Sequence, residues 1–420
     1  MKLLTALLAV TLLAGIGCTK ESNGADTPPK PAPAAKTTQT LEELSSPSGP
    51  GAAEPFLSAT RDSLLLSWLE PVVNTDRVAL RFARYRNGKW SAPQTIVERN
   101  DLFVNWADFP SIVEDARGTL FTQWLQKSGS GTYSYDVQMA TSKDGMKWSK
   151  PFLLNRDGTK TEHGFVTLAA LPGGGVGATW LDGRKMKAGG DHEAAGHDSG
   201  GDMTIRYAVV GANGEISQDV ELDNRTCECC STGMTVTAVG PLVAYRDRTK
   251  DEIRDISLVR RSSGGWTKPH PLNNDGWKVN GCPVNGPQLD SIGNRVVAAW
   301  FTAAQDRGRV LASFSDDAGA KFGSPITIDD GKPVGRVDAL MLNPESALVT
   351  WVEQTPTGAE IRARIVRRNG QVDPSVKIAD SSTARAAGFP RTARLGNDLH
   401  FAWTEQTATS KRIHIARRSF

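Results

Sequence analysis

Several things are missing from this chain of 420 residues, and each absence narrows what it can be. There is no charge excess: 49 basic against 46 acidic residues leaves a formal +3, which gives no electrostatic reason to expect nucleic acid. There is no apolar run long enough to span a bilayer, because the one over residues 3–14 is too short. Residues 20–53 have almost no apolar content and cannot bury a core. Cysteine is sparse. After Cys18 only Cys227, Cys229, Cys230 and Cys282 remain, so cysteine chemistry is confined to one part of the chain.

The short N-terminal apolar run follows Met1-Lys2 and ends in Gly15-Ile16-Gly17-Cys18, the pattern of a secretory signal. The cysteine resembles the acylated residue of a bacterial lipoprotein signal, so residues 1–17 would be removed and Cys18 lipidated. Gly15 stands where that signal has leucine, which leaves a plain cleaved signal peptide as the alternative. Thr19 resembles the residue of lipoproteins sent to the outer membrane, facing the periplasm or the exterior. Residues 18–53, with Pro28-Pro29-Lys30-Pro31, read as a tether, so the membrane is reached through the lipid anchor alone. The folded domain is expected over 54–420, as a monomer.

Seven times a short apolar run climbs into a large aromatic: Trp68, Trp124, Trp180, Tyr245, Trp300, Trp351 and Trp403. Their spacing, about 51–65 residues, matches radially repeated four-stranded sheets and is too long for helical solenoids. An all-β propeller with four antiparallel strands per blade is therefore predicted, seven blades rather than six. Residues 110–114, 119–124, 135–141 and 150–154 read as the four strands A to D of one blade, separated by turn residues. The seventh repeat has only three strands, so residues 40–44 are expected to supply its outer strand and close the ring.

Two C-to-D turns, Ser142-Lys-Asp144-Gly145-Met-Lys-Trp148 and Ser315-Asp-Asp317-Ala-Gly319-Ala-Lys-Phe322, resemble the Asp boxes of sialidase-like propellers. Their chemistry is structural: aspartate caps turn amides, glycine takes a positive φ, and the aromatic packs between strands. The resemblance places them on the face away from any active site.

The unusual residues fall in the connections of the opposite face. Between strand D and the next strand A lie Asn105-Trp-Ala-Asp108, Glu162-His163, Cys227-Glu-Cys229-Cys230 and Gly281-Cys282-Pro283. Between strands B and C lie Asp182-Gly-Arg184, with an insertion carrying His192 and His197, and Arg246-Asp247-Arg248 followed by Glu252, Arg254 and Asp255. The alternating signs over 246–255 suit mutual ion pairing and equally a site for an anionic or polyhydroxyl ligand. Four thiols in an oxidising compartment suggest disulfides. Cys227 and Cys230 also have the spacing of two metal ligands, with Cys282 and His163 as further ligands and copper or zinc as the cation.

Together with Glu162-His163-Gly-Phe, Tyr245-Arg-Asp-Arg248 and Gly281-Cys-Pro-Val-Asn-Gly-Pro287, these segments resemble a group of bacterial exo-α-sialidase-like proteins over most of residues 55–420. The resemblance implies a glycan or another small anionic ligand at the channel mouth. Arg184, Arg246, Arg248 and Arg254, with Asn105 and Asp108, would be its contacts. Glu162, Asp182 and Asp247 would be the acid/base candidates, since glycosidic cleavage needs opposed carboxyls. The Phe/Tyr-Arg-Ile-Pro segment of true sialidases is missing, and Tyr245 sits in the repeat's own aromatic position. Three readings follow: a propeller that binds, or binds and hydrolyses, a glycan; a non-enzymatic metal-binding or redox propeller using the four cysteines; and a scaffold with structural disulfides.

Overall fold

The computed structural model describes residues 41–187 and 201–419. The expected signal at 1–17, the lipidation at Cys18, most of the tether, and His192 and His197 lie outside the described residues. The described chain forms seven antiparallel sheets; in six of them the strands run in chain order from the innermost A to the outermost D, while in blade seven the outermost strand is the N-terminal Glu42–Leu44. In blades one and four strand D is split into two short pieces. The innermost strands, from Ala53–Ala59 in blade one to Arg391–Leu395 in blade seven, surround the central channel.

The seven aromatics occupy equivalent places on strand B, where they fill the space between neighbouring sheets and are at most 7% exposed. A buried indole seeks a hydrogen-bond acceptor, and in blades one, three and six a carboxylate two residues on supplies it. Trp68 donates to Glu70 at 2.9 Å, Trp180 to Asp182 at 2.8 Å and Trp351 to Glu353 at 2.6 Å.

Both Asp boxes form as expected. The amides of Met146 and Lys147 donate to Asp144 at 2.8 Å, and Lys321 donates to Asp317 at 2.9 Å. Trp148 meets Phe82 of blade one edge-on at 5.8 Å, so the box joins two blades. At Gly319, φ is 78° and a Cβ would stand 2.4 Å from Leu242, which is why glycine is required.

The ring closes through Glu42–Leu44, which pairs with Lys411–Ser419 in the register Glu42↔Arg417 and Leu44↔Ile415. Leu41 and Leu44 pack against the cores of blade seven and its neighbours. Deleting residues 41–46 is expected to cost on the order of 2 kcal/mol and to expose the strand at 411–419 as a sticky edge. Urea unfolding and light scattering check this; an unchanged midpoint with a monodisperse product would refute it.

Candidate functional site at the channel mouth

The inner strands of blades one, three and six begin with the same bulge, after Ala53, Gly164 and Gly335. It places three non-glycine residues at positive φ: Glu54 at 55°, Phe165 at 53° and Arg336 at 54°. Such backbone persists only when its surroundings over-determine it, and here side chains from neighbouring blades do so. Asp108 accepts the Phe165 amide at 2.7 Å, and Asn285 accepts the Arg336 amide at 2.7 Å. A Cβ on Gly164 would stand 1.9 Å from the Asp108 carboxylate, and one on Gly335 would stand 2.3 Å from Asn285. Asp108-Phe-Pro and Asn285-Gly-Pro are thus the same device in two blades.

Asp108 does more than this. Its other oxygen lies 3.2 Å from the hydroxyl of Tyr135, which also lies 2.8 Å from Glu162. Tyr135 opens strand C of blade two, stacks on Phe103 at 4.0 Å, and is buried, as are both carboxyls. Burial pushes Asp108 up to about 7. It pushes Glu162 up to about 8, helped by the charges of Asp108, Glu228 and Cys227. Burial, and then both carboxylates, hold the phenol well above its ordinary value. One phenolic proton cannot serve two acceptors at once, so the cluster keeps at least one carboxyl protonated near neutral pH.

His163 and Asp182 belong to an adjoining group. His163 is fully buried, with Nδ1 3.2 Å from the Tyr135 carbonyl and Nε2 3.1 Å from Asp157. Burial opposes its charge, but the Asp157 hydrogen bond and the Asp182 and Asp157 charges raise it. Arg184 grips Asp182 with two hydrogen bonds, at 2.6 and 2.7 Å, while Trp180 donates to the same carboxylate. Asp182 therefore accepts the indole of its own blade as Glu70 and Glu353 do in theirs, and His163 pairs with carboxylates rather than with the cysteines.

The alternating charges after Tyr245 resolve into internal pairing. Arg246 is buried over Trp277 and donates to the carbonyls of Asn285, Arg254 and Phe301 at 2.6–2.9 Å. Arg254, also buried, donates to Glu228 at 2.9 Å, to Glu252 at 2.8 Å and to the Cys227 sulfur at 3.3 Å. Arg248 joins the same two glutamates. Asp247 accepts from Ser257 at 2.9 Å, and burial followed by the Asp223 charge moves it up to about 6. Asp255 caps the amides of Gly276 and Trp277, and Asn105 caps Ala107 at 2.8 Å. Arg184, Arg246 and Arg254, expected as ligand contacts, are thus engaged within the protein and do not converge on one site.

A second set lines the mouth. Trp106, partly exposed, stacks on Phe389 at 5.8 Å, and the Arg336 guanidinium lies 5.1 Å over its ring. Burial lowers Arg336 to about 10, although it donates to the carbonyls of Gly388, Thr383 and Ala384. Arg391 lies 4.6 Å over Phe109 and 4.0 Å from Asp338, inside a channel cavity of about 160 Å³ bounded by Asp108 and Phe165. Sequence reasoning passed over Tyr135, Arg336 and Arg391. The only local signal was a glycine ahead of Arg336.

All four cysteines outside the N-terminus lie on this face as free thiols. The Cys227 sulfur is 3.4 Å from that of Cys230 and 3.8 Å from that of Cys229, and Cys282 is exposed within reach of Cys229.

No family model and no curated protein matches this chain. Solved structures do. An ulvan lyase of a new polysaccharide lyase family aligns with a TM-score of 0.55 at 12% identity, over 89% of this chain and 95% of that one. A protein of unknown function from Dyadobacter fermentans aligns with a TM-score of 0.50 at 16% identity, over 74% and 94%. A Hadza microbial sialidase aligns with a TM-score of 0.48 at 12% identity, over 82% and 73%. At these identities the likeness is one of fold. What the chain shares with them is the β-propeller, here of seven blades with two Asp-box turns.

Proposed function

We propose that the protein takes a glycan at the channel mouth and cleaves a glycosidic bond there, at the bacterial cell envelope where a lipid on Cys18 would hold it. The observation that carries this reading is the Tyr135 hydroxyl held between Asp108 and Glu162, at the start of the inner strands. A carboxyl that keeps its proton near neutral pH is what a general acid requires. At the mouth, Trp106, backed by the buried Phe389, offers a partly exposed apolar surface to a sugar ring, while Arg336 and Arg391 bring positive charge suited to an acidic sugar. The fold neighbours add support in kind, since the ulvan lyase was captured with a -[GlcA(1-4)Rha3S]- ligand.

The full-length protein, recovered from membranes, should bind at least one class on an array of acidic and neutral glycans, and Trp106→Ala should weaken that binding at least tenfold, about 1.4 kcal/mol. Absence of both binding and cleavage across the array and a panel of aryl glycosides would discard the reading.

A further inference from the structure

We propose that Cys227, Cys229 and Cys230 form a seat for one thiophilic cation, Cu(I) or Zn(II), with Cys282 as the fourth thiol on its outer side.

The three sulfurs converge, each within 4.8 Å of the others. Four thiolates about 2.3 Å from one zinc ion stand about 3.8 Å apart, and the observed separations are 3.4 and 3.8 Å. With the third separation no more than 4.8 Å, closing on an ion needs shifts of about an ångström at most. The backbone is anchored for this: Cys227 donates its amide to the Arg246 carbonyl at 3.0 Å.

The donor set decides the class of ion. Glu228, between the cysteines in sequence, is already shared by Arg248 and Arg254, and His163 is paired with Asp157. Sulfur alone is left, and all-sulfur sites select Cu(I) or zinc over hard cations.

Charge is also provided for. Three thiolates on Cu(I), or four on Zn(II), carry a net charge of −2. Arg254 donates to the Cys227 sulfur at 3.3 Å, and the buried Arg246 accepts the Cys227 amide on its carbonyl. Arg246, Arg248 and Arg254 outnumber Glu228 and Glu252 by one, so a net positive charge remains beside the sulfurs to offset part of the negative centre. Cys227 and Cys230 are buried while Cys282 is exposed, which gives the ion a route in from the mouth.

The two ions make different demands. Zn(II) in a closed site takes four ligands, whereas the three thiolates of Cys227, Cys229 and Cys230 suffice for Cu(I). The test uses the full-length protein, reduced and metal-free, incubated with Cu(I) or with Zn(II) alone, desalted, and assayed for metal and reactive thiols. One equivalent retained, with at least three thiols protected, is the expected result. Cys227→Ser and Cys230→Ser should abolish retention of either ion. Cys229→Ser, at a less buried position, should weaken it at least ~10-fold even if the buried variants fail to fold. Loss on Cys282→Ser of zinc but not copper identifies Cu(I) as the ion of the three-thiol seat; loss of both identifies a four-thiol zinc site. Retention below a fifth of an equivalent for both ions, equal retention by Cys229→Ser, or a Cys227–Cys230 disulfide that persists under mild reductant would overturn the proposal. Glycan binding is read separately, so failure here leaves the cleavage reading standing.

Discussion

Arg254→Ala is expected to destabilise the propeller by about 3–5 kcal/mol, because truncating one partner of a buried ion network leaves the others desolvated and unpaired. Arg254 is fully buried. It holds Glu228, Glu252 and the Cys227 sulfur at once, and its carbonyl accepts from Arg246 at 2.6 Å. Losing the guanidinium therefore leaves Arg248 alone to hold both glutamates, and the Cys227 sulfur without its donor, at the junction of blades three, four and five. Arg254→Lys should recover only part of the loss, since an ammonium cannot reach three acceptors in a planar fork. A comparison variant, Arg86→Ala, removes an ion pair whose two side chains are about half exposed, and should stay within about 0.5 kcal/mol of the parent. Urea midpoints at constant slope measure both. An Arg254→Ala loss below about 1 kcal/mol would mean that the network contributes little.

Glu162→Gln is expected to lower any cleavage activity by about 10²–10⁴-fold, the range for removing a general acid, and also to change how stability depends on pH. In the folded protein Asp108 and Glu162 keep their protons up to about pH 7 and 8, whereas the unfolded chain releases them near pH 4. Folding therefore takes up protons across that interval. The stability this provides is complete below about pH 4 and is lost as pH rises through 7 and 8. Glutamine keeps a hydrogen bond to Tyr135 but cannot ionise, so Glu162→Gln should flatten the decline between pH 5 and pH 9, by an amount on the order of 2–4 kcal/mol. Glu54, pushed by burial up to about 7 and set against Lys411, adds to the parent's decline but is common to both proteins. Superimposable pH–stability curves for parent and variant would remove the physical basis for treating Glu162 as a proton store. Tyr135→Phe provides a second check: it should leave the channel mouth folded while separating the two carboxyls' titrations.

The repeat was legible because its causes are local. A strand alternates with period two, a buried aromatic recurs where neighbouring sheets meet, and an Asp box is closed within eight residues. Counting strands even exposed the gap in blade seven that Glu42–Leu44 fills. The channel mouth was legible only as a list of unusual residues on one face.

Their pairing was not legible, because it joins positions tens of residues apart. Arg246, Arg248 and Arg254 suit a ligand site or an ion network equally well until Glu228, from the preceding connection, is seen between two of them. His163 sits beside the cysteines in chain order of blades, yet Asp157 and Asp182 surround it in space. Tyr135 reads as an ordinary core residue of a strand. Its significance comes from Asp108 and Glu162, each 27 residues away in opposite directions.

By itself, then, the sequence determined the propeller, its seven blades and the face on which the blades diverge, since these follow from periodicity and short-range turn chemistry. Which charged groups pair with one another, which carboxyls keep their protons and which thiols converge were decided only by the tertiary structure. The reason is that burial and hydrogen bonding depend on distances between blades, and no spacing along the chain encodes them.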